Sequence, residues 1–232
     1  IAMLEQISPS TETIQAEMAH LYCELAEEEL FNVESPQFDR LMLWIDKAYA
    51  SDKSCVRATL IRAYALYANG HYDTALDTLL EIEAQDLELI PIIIPMVYEL
   101  ATLLGKNGFF LEWLDRNILI NSHILLKIWK THYLIFNQSF DAGITYLQSA
   151  LKRDSNLLGL MVLNQLQKYH SEQTDAVLIE KTFREMLDRY AQFQCDSCGY
   201  TTKAMQWSCP SCFEWNRSIP VKDIIALKVK HT

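Results

Sequence analysis

Apolar positions recur along most of the chain at three- and four-residue intervals, the signature of amphipathic helices, and a longer period overlies them. Phe38-Asp39, Tyr72-Asp73 and Phe140-Asp141 stand 34 and then 68 residues apart. The same register carries Asp52, Asp86 and Asp154, each closing the stretch that its aromatic-Asp pair opens. Three residues after each aromatic come Leu41, Ala75 and Gly143, and four further on come Ile45, Leu79 and Leu147. A period of 34 residues holding two helices and their turns is the tetratricopeptide length. The best single unit runs from Ser54 to Asp86. There Ala63, Tyr72, Ala75, Leu79 and Ile82 take the places where the two helices of such a unit touch, and Asn69-Gly70 supplies the turn. A small side chain at Ala75 or Gly143 lets the second helix approach the first, and the aromatic wedges over the turn.

The third copy of the register falls at Lys106-Asn107, where the aromatic-Asp pair is missing and Trp113 stands in the Leu79 position. That unit is expected to be degenerate. The pattern predicts helices over 12–32, 37–50, 54–69, 72–84, 91–106, 109–121, 123–137, 140–153, 156–170 and 173–191, with Ser35-Pro36 as a start signal before the second. The expected fold class is all-α: about ten helices in five pairs, forming a short tetratricopeptide-like solenoid, followed by a small C-terminal metal module. Repeats of this kind depend on their neighbours for burial.

Composition sharpens the division. Half of the residues are apolar and glycine and proline are six each, which excludes a disordered or collagen-like chain. Thirty acidic residues against twenty basic ones leave a charge of −10, unsuited to gripping phosphates. Residues 1–190 hold 27 acidic and 15 basic side chains, whereas residues 191–232 hold three and five. We therefore expect helical repeats over 1–191 and a separate module over 192–232. The longest uncharged stretch in the apolar regions, Ser155 to Gln167, falls short of the roughly 18 residues of a membrane helix. No secretory signal is read at the N-terminus, and the start at Ile1 reads as that of a fragment.

Six cysteines invite a disulfide reading, but four of them fall in one pattern. Cys195-x-x-Cys198, ten residues, then Cys209-x-x-Cys212 is the spacing of two knuckles on one tetrahedral metal ion. Two residues between the cysteines of a knuckle let both thiolates face the ion while backbone N–H groups turn toward the sulfurs. Gly199 follows the first knuckle, where a positive φ is often needed, and Pro210 restricts φ in the second. Zinc and iron both accept four thiolates; the short gap between knuckles favours structural zinc over iron. Four thiolates leave no open coordination position, so catalysis at the metal is not expected. Tyr200, Trp207, Phe213 and Trp215 flank the knuckles, either as a small core over the metal or as a docking surface.

Other chemistry is sparse. Cys23 and Cys55 are read as core residues, and His20, His123, His132 and His170 as packing histidines. Glu27-Glu28-Glu29 reads as a solvated face. No nucleophile elbow, P-loop or dinucleotide fingerprint occurs, so no enzyme is expected. Arg57, Tyr64 and Tyr67, by analogy with the best-matching repeat, are candidate partner-binding positions.

Two stretches together resemble the lipopolysaccharide assembly protein B (LapB) family of Gram-negative bacteria. One is Glu17-Met18-Ala19-His20-Leu21-Tyr22-Cys23-Glu24-Leu25-Ala26 at the head of the array. The other is Cys195-x-x-Cys198-Gly199-Tyr200-Thr201 followed by Trp207-x-Cys209-Pro210-Ser211-Cys212-x-x-Trp215 and Ile219. The resemblance implies tetratricopeptide repeats with a rubredoxin-like module on them, Cys195, Cys198, Cys209 and Cys212 as metal ligands, and an N-terminal membrane anchor absent from this chain. It implies an adaptor on the cytoplasmic face of the inner membrane that regulates lipopolysaccharide synthesis through turnover of the lipid A deacetylase LpxC by the protease FtsH, alongside the lipopolysaccharide regulatory and transport machinery. Two other readings remain: an iron-containing rubredoxin-like electron-transfer protein, and a zinc ribbon for nucleic acid, which the acidic body disfavours.

Overall fold

The computed structural model describes residues 12–31, 37–171, 181, 185 and 193–222. The expected helix over 173–191, the boundary at 191/192 and the Ser35-Pro36 start signal fall largely or wholly outside the described residues. The chain divides into two compact units, 1–106 and 107–232.

The first unit holds α1 (Glu12–Leu30), α2 (Phe38–Ser51), α3 (Val56–Ala68), α4 (Tyr72–Leu80), the short α5 (Ile82–Gln85) and α6 (Ile90–Leu103), the last entered through a 3-10 turn at Leu87–Leu89. Its first core is a layer of helical stripes. Met18, Ala19, Tyr22, Cys23 and Ala26 of α1 meet Leu41, Ile45 and Ala48 of α2, and Cys55, Ala58, Ile61 and Ala65 at the start of and along α3. These spacings of three and four place each set on one helix face. Further along, α4 packs on α3 and α6, with Ala75, Leu76, Leu79, Ile90, Ile93, Ile94, Val97 and Leu100 buried.

The second unit holds α7 (Asn107–Ile120), α8 (Ile124–Asn137), α9 (Phe140–Arg153), α10 (Leu157–Ser171) and three short strands, β1 (Phe193–Cys195), β2 (Thr201–Thr202) and β3 (Ser218–Pro220). Ile124 and Ile128 of α8, Leu147 and Leu151 of α9, and Leu158, Val162 and Leu166 of α10 form its helical core. Phe110 stacks on Trp113 at 6.0 Å between centroids and meets Tyr133 at 5.9 Å.

The expected period governs both units. Helices α3, α6 and α8 open at Val56, Ile90 and Ile124, each 34 residues after the one before. Phe38, Tyr72 and Phe140 are each the first residue of a helix. Ile45, Leu79, Trp113 and Leu147, one register position in four copies, are all fully buried. Thus the third copy keeps its register: α7 starts at Asn107, two residues earlier than expected, and Trp113 fills the core position with a larger side chain. At Gly143 the reason for a small residue is direct, because a Cβ there would lie 2.5 Å from Ile135 Cγ1 and 2.9 Å from the Thr131 carbonyl oxygen.

The joints are equally regular. Asp52, Asp86 and Asp154 each sit at the end of a helix in extended conformation. Asp52 Oδ1 accepts from the Ser54 backbone N–H and Asp86 Oδ1 from that of Glu88, both at 2.9 Å, an Asx turn that steers the chain into the next helix. The third copy has Ile120 at this position, and Asn121, one residue later, takes over: its Oδ1 accepts from the His123 N–H at 3.1 Å. Helices α3 and α6 end alike, with Gly70 and Gly105 at positive φ and paired bonds, His71 N–H to Leu66 O and Gly70 N–H to Tyr67 O in one, Lys106 N–H to Ala101 O and Gly105 N–H to Thr102 O in the other. One expected helix, 72–84, is divided. A tightened turn at Glu81, whose N–H reaches back to Thr78 O at 3.2 Å, separates α4 from α5.

Candidate metal centre

The strands exist to hold the knuckles. β1 is central in the order β2-β1-β3, both pairings antiparallel, with Gln194 opposite Thr201 on one side and Cys195 opposite Ser218 on the other. Cys195 ends β1, and the chain then turns back through Cys198 into β2. The second knuckle follows, bracketed by a bridge between Ser208 and Trp215.

The two knuckles share one hydrogen-bond plan. Gly199 N–H donates to Cys195 O at 2.9 Å, and Phe213 N–H donates to Cys209 O at 2.8 Å. The N–H of each first cysteine is taken up five residues on, Cys195 by Tyr200 O at 2.8 Å and Cys209 by Glu214 O at 2.9 Å. Both turns require positive φ four residues after the first cysteine: Gly199 has φ 78° and Phe213 has φ 61°. The first knuckle thus uses the residue that adopts this conformation without cost, and the second places a phenylalanine there.

All four Sγ atoms lie within 4.8 Å of one another. Cys195 and Cys212 are separated by 3.8 Å, and Cys198 and Cys209 by 3.5 Å. A tetrahedral S4 site with metal–sulfur bonds of about 2.3 Å has sulfurs about 3.8 Å apart, so the donor set fits one such ion. The backbone completes the case. N–H groups of Cys212 and Ser211 donate to the Cys209 sulfur and hold its thiol down at about 6, while burial pushes the Cys195 thiol up against N–H donors from Cys198 and Ser197. The donors on Cys209 pre-organise it as a thiolate ligand, whereas at Cys212 the Glu214 N–H is outweighed by burial and the neighbouring sulfurs, which push the thiol up to about 12. The four cysteines cluster to bind one metal ion, and four ligands leave no position for a substrate.

The aromatics around the site divide. Trp207 and Trp215 are half-buried, whereas Tyr200 is exposed and Phe213 is 74% exposed. Within the second unit, Asn156 joins the module's end to the helices: its Oδ1 accepts from Gly159 N–H at the start of α10, and its Nδ2 donates to Lys222 O just past β3 at 3.0 Å.

The other singled-out residues lie in the helices. Arg57 is buried, and its guanidinium clasps Glu27 through Nε at 3.0 Å and Nη2 at 2.8 Å, with Glu24 at 3.8 Å and the His20 carbonyl at 3.4 Å. Tyr64 is 51% exposed, and the half-buried Tyr67 donates its hydroxyl to Glu99. The Glu27-Glu28-Glu29 run is a solvated face only in part: Glu28 is exposed, but Glu27 holds Arg57 and Glu29 pairs with Arg40 at 3.0 Å. His20, His123 and His132 are buried as packing histidines, His123 also capping α8 by accepting from Leu125 N–H; the side chain of His170 lies outside the described residues. Cys23 and Cys55 are both in the core, and their sulfurs touch at 3.8 Å. The spacing of two residues 32 apart in sequence carries no signal of that contact.

Residues 193–217 match the family model described as a rubredoxin metal binding domain. The chain is 26% identical over 220 residues to lipopolysaccharide assembly protein B of Escherichia coli K12, covering 92% of this chain and 55% of that protein. It is 25% identical over 229 residues to the protein of the same name from Haemophilus influenzae, covering 95% of this chain and again 55% of the relative. The chain therefore spans about half the length of the curated relatives it matches, and the resemblance drawn from its motifs extends along nearly all of it. Among solved structures, YrrB, described as a TPR protein with an unusual peptide-binding site, aligns over 81% of this chain and 88% of its own at 15% identity and a TM-score of 0.41. Among the described residues no helix is long and apolar enough to cross a membrane.

Proposed function

We propose that this chain is the repeat-and-metal portion of a LapB-like adaptor, a non-enzymatic scaffold that regulates lipopolysaccharide synthesis. The observation that carries the reading is the order of parts: tetratricopeptide-length helix pairs followed by a four-thiolate knuckle pair, matching lipopolysaccharide assembly protein B along 92% of the chain. In this reading the parent protein is attached through an N-terminal anchor to the inner membrane, with these domains on its cytoplasmic face. It presents the deacetylase LpxC to the protease FtsH and meets the lipopolysaccharide regulatory and transport machinery.

The roles within the chain follow from their chemistry. The repeats expected over 1–191 supply the partner-binding positions, and the module expected over 192–232 follows them in the chain. Arg57, committed to Glu27, fixes α3 against α1 and so the disposition of Tyr64 and Tyr67, of which Tyr64 is the more exposed. The metal, when bound, supplies folding free energy rather than reactivity. Zinc is its identity in this reading: saturated four-thiolate coordination suits a closed structural site. Iron at the same sulfurs is the competing occupant, and would make the module an electron carrier.

The test uses the full-length parent protein. Affinity capture from membranes should recover both the protease and the deacetylase, and deletion of the gene should lengthen the half-life of the deacetylase. Capture of neither, with an unchanged half-life, would overturn the reading. Metal analysis and absorption spectra of anaerobically purified protein separate zinc, which is colourless, from the strongly coloured iron–thiolate centre.

A further inference from the structure

The second pair of sulfurs, remote in sequence from the metal ligands, is arranged for chemistry that the adaptor reading does not use. Cys23 sits in the middle of α1 and Cys55 at the residue preceding α3, with their Sγ atoms 3.8 Å apart and both side chains in the core. The two are not equivalent. The hydrogen bond between the two sulfurs, together with backbone N–H groups of Ala58 and Arg57 at the first turn of α3, holds Cys55 below the ordinary thiol value. That same bond and burial push Cys23 up. A helix N-terminus favours the thiolate, so one sulfur is the nucleophile and its neighbour the reserve thiol. Cys55 itself is buried, and it follows directly on the exposed residues Lys53 and Ser54, so peroxide reaches it through local opening of that short turn.

We propose that Cys23 and Cys55 form a redox dithiol that closes to a disulfide under peroxide and staples α1 to the start of α3. The Cys55 sulfur attacks one oxygen of hydrogen peroxide; the O–O bond breaks, and the departing hydroxide takes the Cys55 proton to leave as water. Cys55 is then a sulfenic acid. The Cys23 sulfur attacks that sulfur, the S–O bond breaks, and the hydroxyl group leaves with the Cys23 proton as a second water. Two thiols and one peroxide give one disulfide and two waters, the two electrons passing from sulfur to peroxide oxygen. Closure brings the sulfurs from 3.8 Å to a bond of about 2.05 Å. The staple joins residues 32 apart, encircles α2, and lies beside the Arg57–Glu27 pair that ties the same two helices.

The experiment uses the full chain, metal-loaded and reduced, then desalted and treated with stoichiometric hydrogen peroxide. After alkylation and digestion, mass spectrometry should find Cys23 and Cys55 in one linked peptide that dithiothreitol separates, before metal is released from the four ligand cysteines. The melting temperature should rise by about 5 °C on oxidation and stay unchanged in Cys55→Ser, where serine still serves before α3. Alkylation of both thiols after treatment, or oxidation of either to a sulfinic or sulfonic acid without a linked peptide, would overturn the proposal. The linked peptide is read in the wild-type chain, so the result stands even if the variant folds poorly.

Discussion

The helices and the knuckles are stabilised in opposite ways. In the helices, stability is spread over many buried positions: Ile45, Leu79, Trp113 and Leu147 do the same work in successive copies, and each is one of dozens. In the module, three strands of two or three residues enclose almost no apolar core, and the four thiolates converge on one point. A distributed core weakens by increments; a converged one is kept or lost whole. Damage to either region should therefore have a distinct signature, and four measurements probe it.

The largest effect is expected at the metal. Cys209→Ser, or removal of the ion by a strong chelator, should unfold the β1–β3 module while leaving the helical circular dichroism signal nearly intact. Structural sites of this type contribute about 10–16 kcal/mol, far beyond what the small sheet supplies. Loss of helix in parallel with the metal would break the contrast. Next comes Gly143→Leu, which drives a side chain into Ile135 and the Thr131 carbonyl. It should cost about 3 kcal/mol, read as a lower urea midpoint with metal content unchanged.

A smaller loss is expected for Arg57→Met, which keeps an unbranched apolar stem but leaves Glu27 without its bidentate partner. About 2 kcal/mol is expected, again in urea unfolding, and Glu27→Gln combined with it should recover part of the loss. The smallest effect has the opposite sign. Phe213→Gly relieves a phenylalanine at φ 61° that is largely exposed, and should stabilise the loaded module by about 1 kcal/mol. A rise in the chelator concentration needed for half-release would check it; a fall would mean that the ring supports the site.

The two regions are legible in the amino-acid sequence to different depths, for physical reasons. Helix faces follow from the 3.6-residue turn, so the period, the buried register positions and the Asp joints were all legible. The metal ligands were legible because knuckle geometry compels a two-residue spacing. What escaped was pairing across helices: the Arg57–Glu27 clasp and the Cys23–Cys55 contact join residues about 30 apart, and periodicity names the face of a helix but not the atom opposite. Phe213 escaped for another reason. Its positive φ belongs to the turn rather than to the residue type, and only Gly199 in the sister knuckle advertised it. The break at Glu81 has no proline or glycine to announce it.

The joints at Asp52, Asp86 and Asn121 carry a consequence for how such a chain can change. Each is closed by bonds reaching only two residues ahead, so the hinge chemistry travels with its own repeat. A segment cut from one joint to the next brings its own start and stop. Duplication or loss of whole 34-residue blocks would keep these three joints correctly made, whereas a cut inside a block would strand half a hinge. Length in this lineage of proteins should therefore vary in whole repeats, and an engineered graft should be spliced at the aspartates rather than between the helices of a pair.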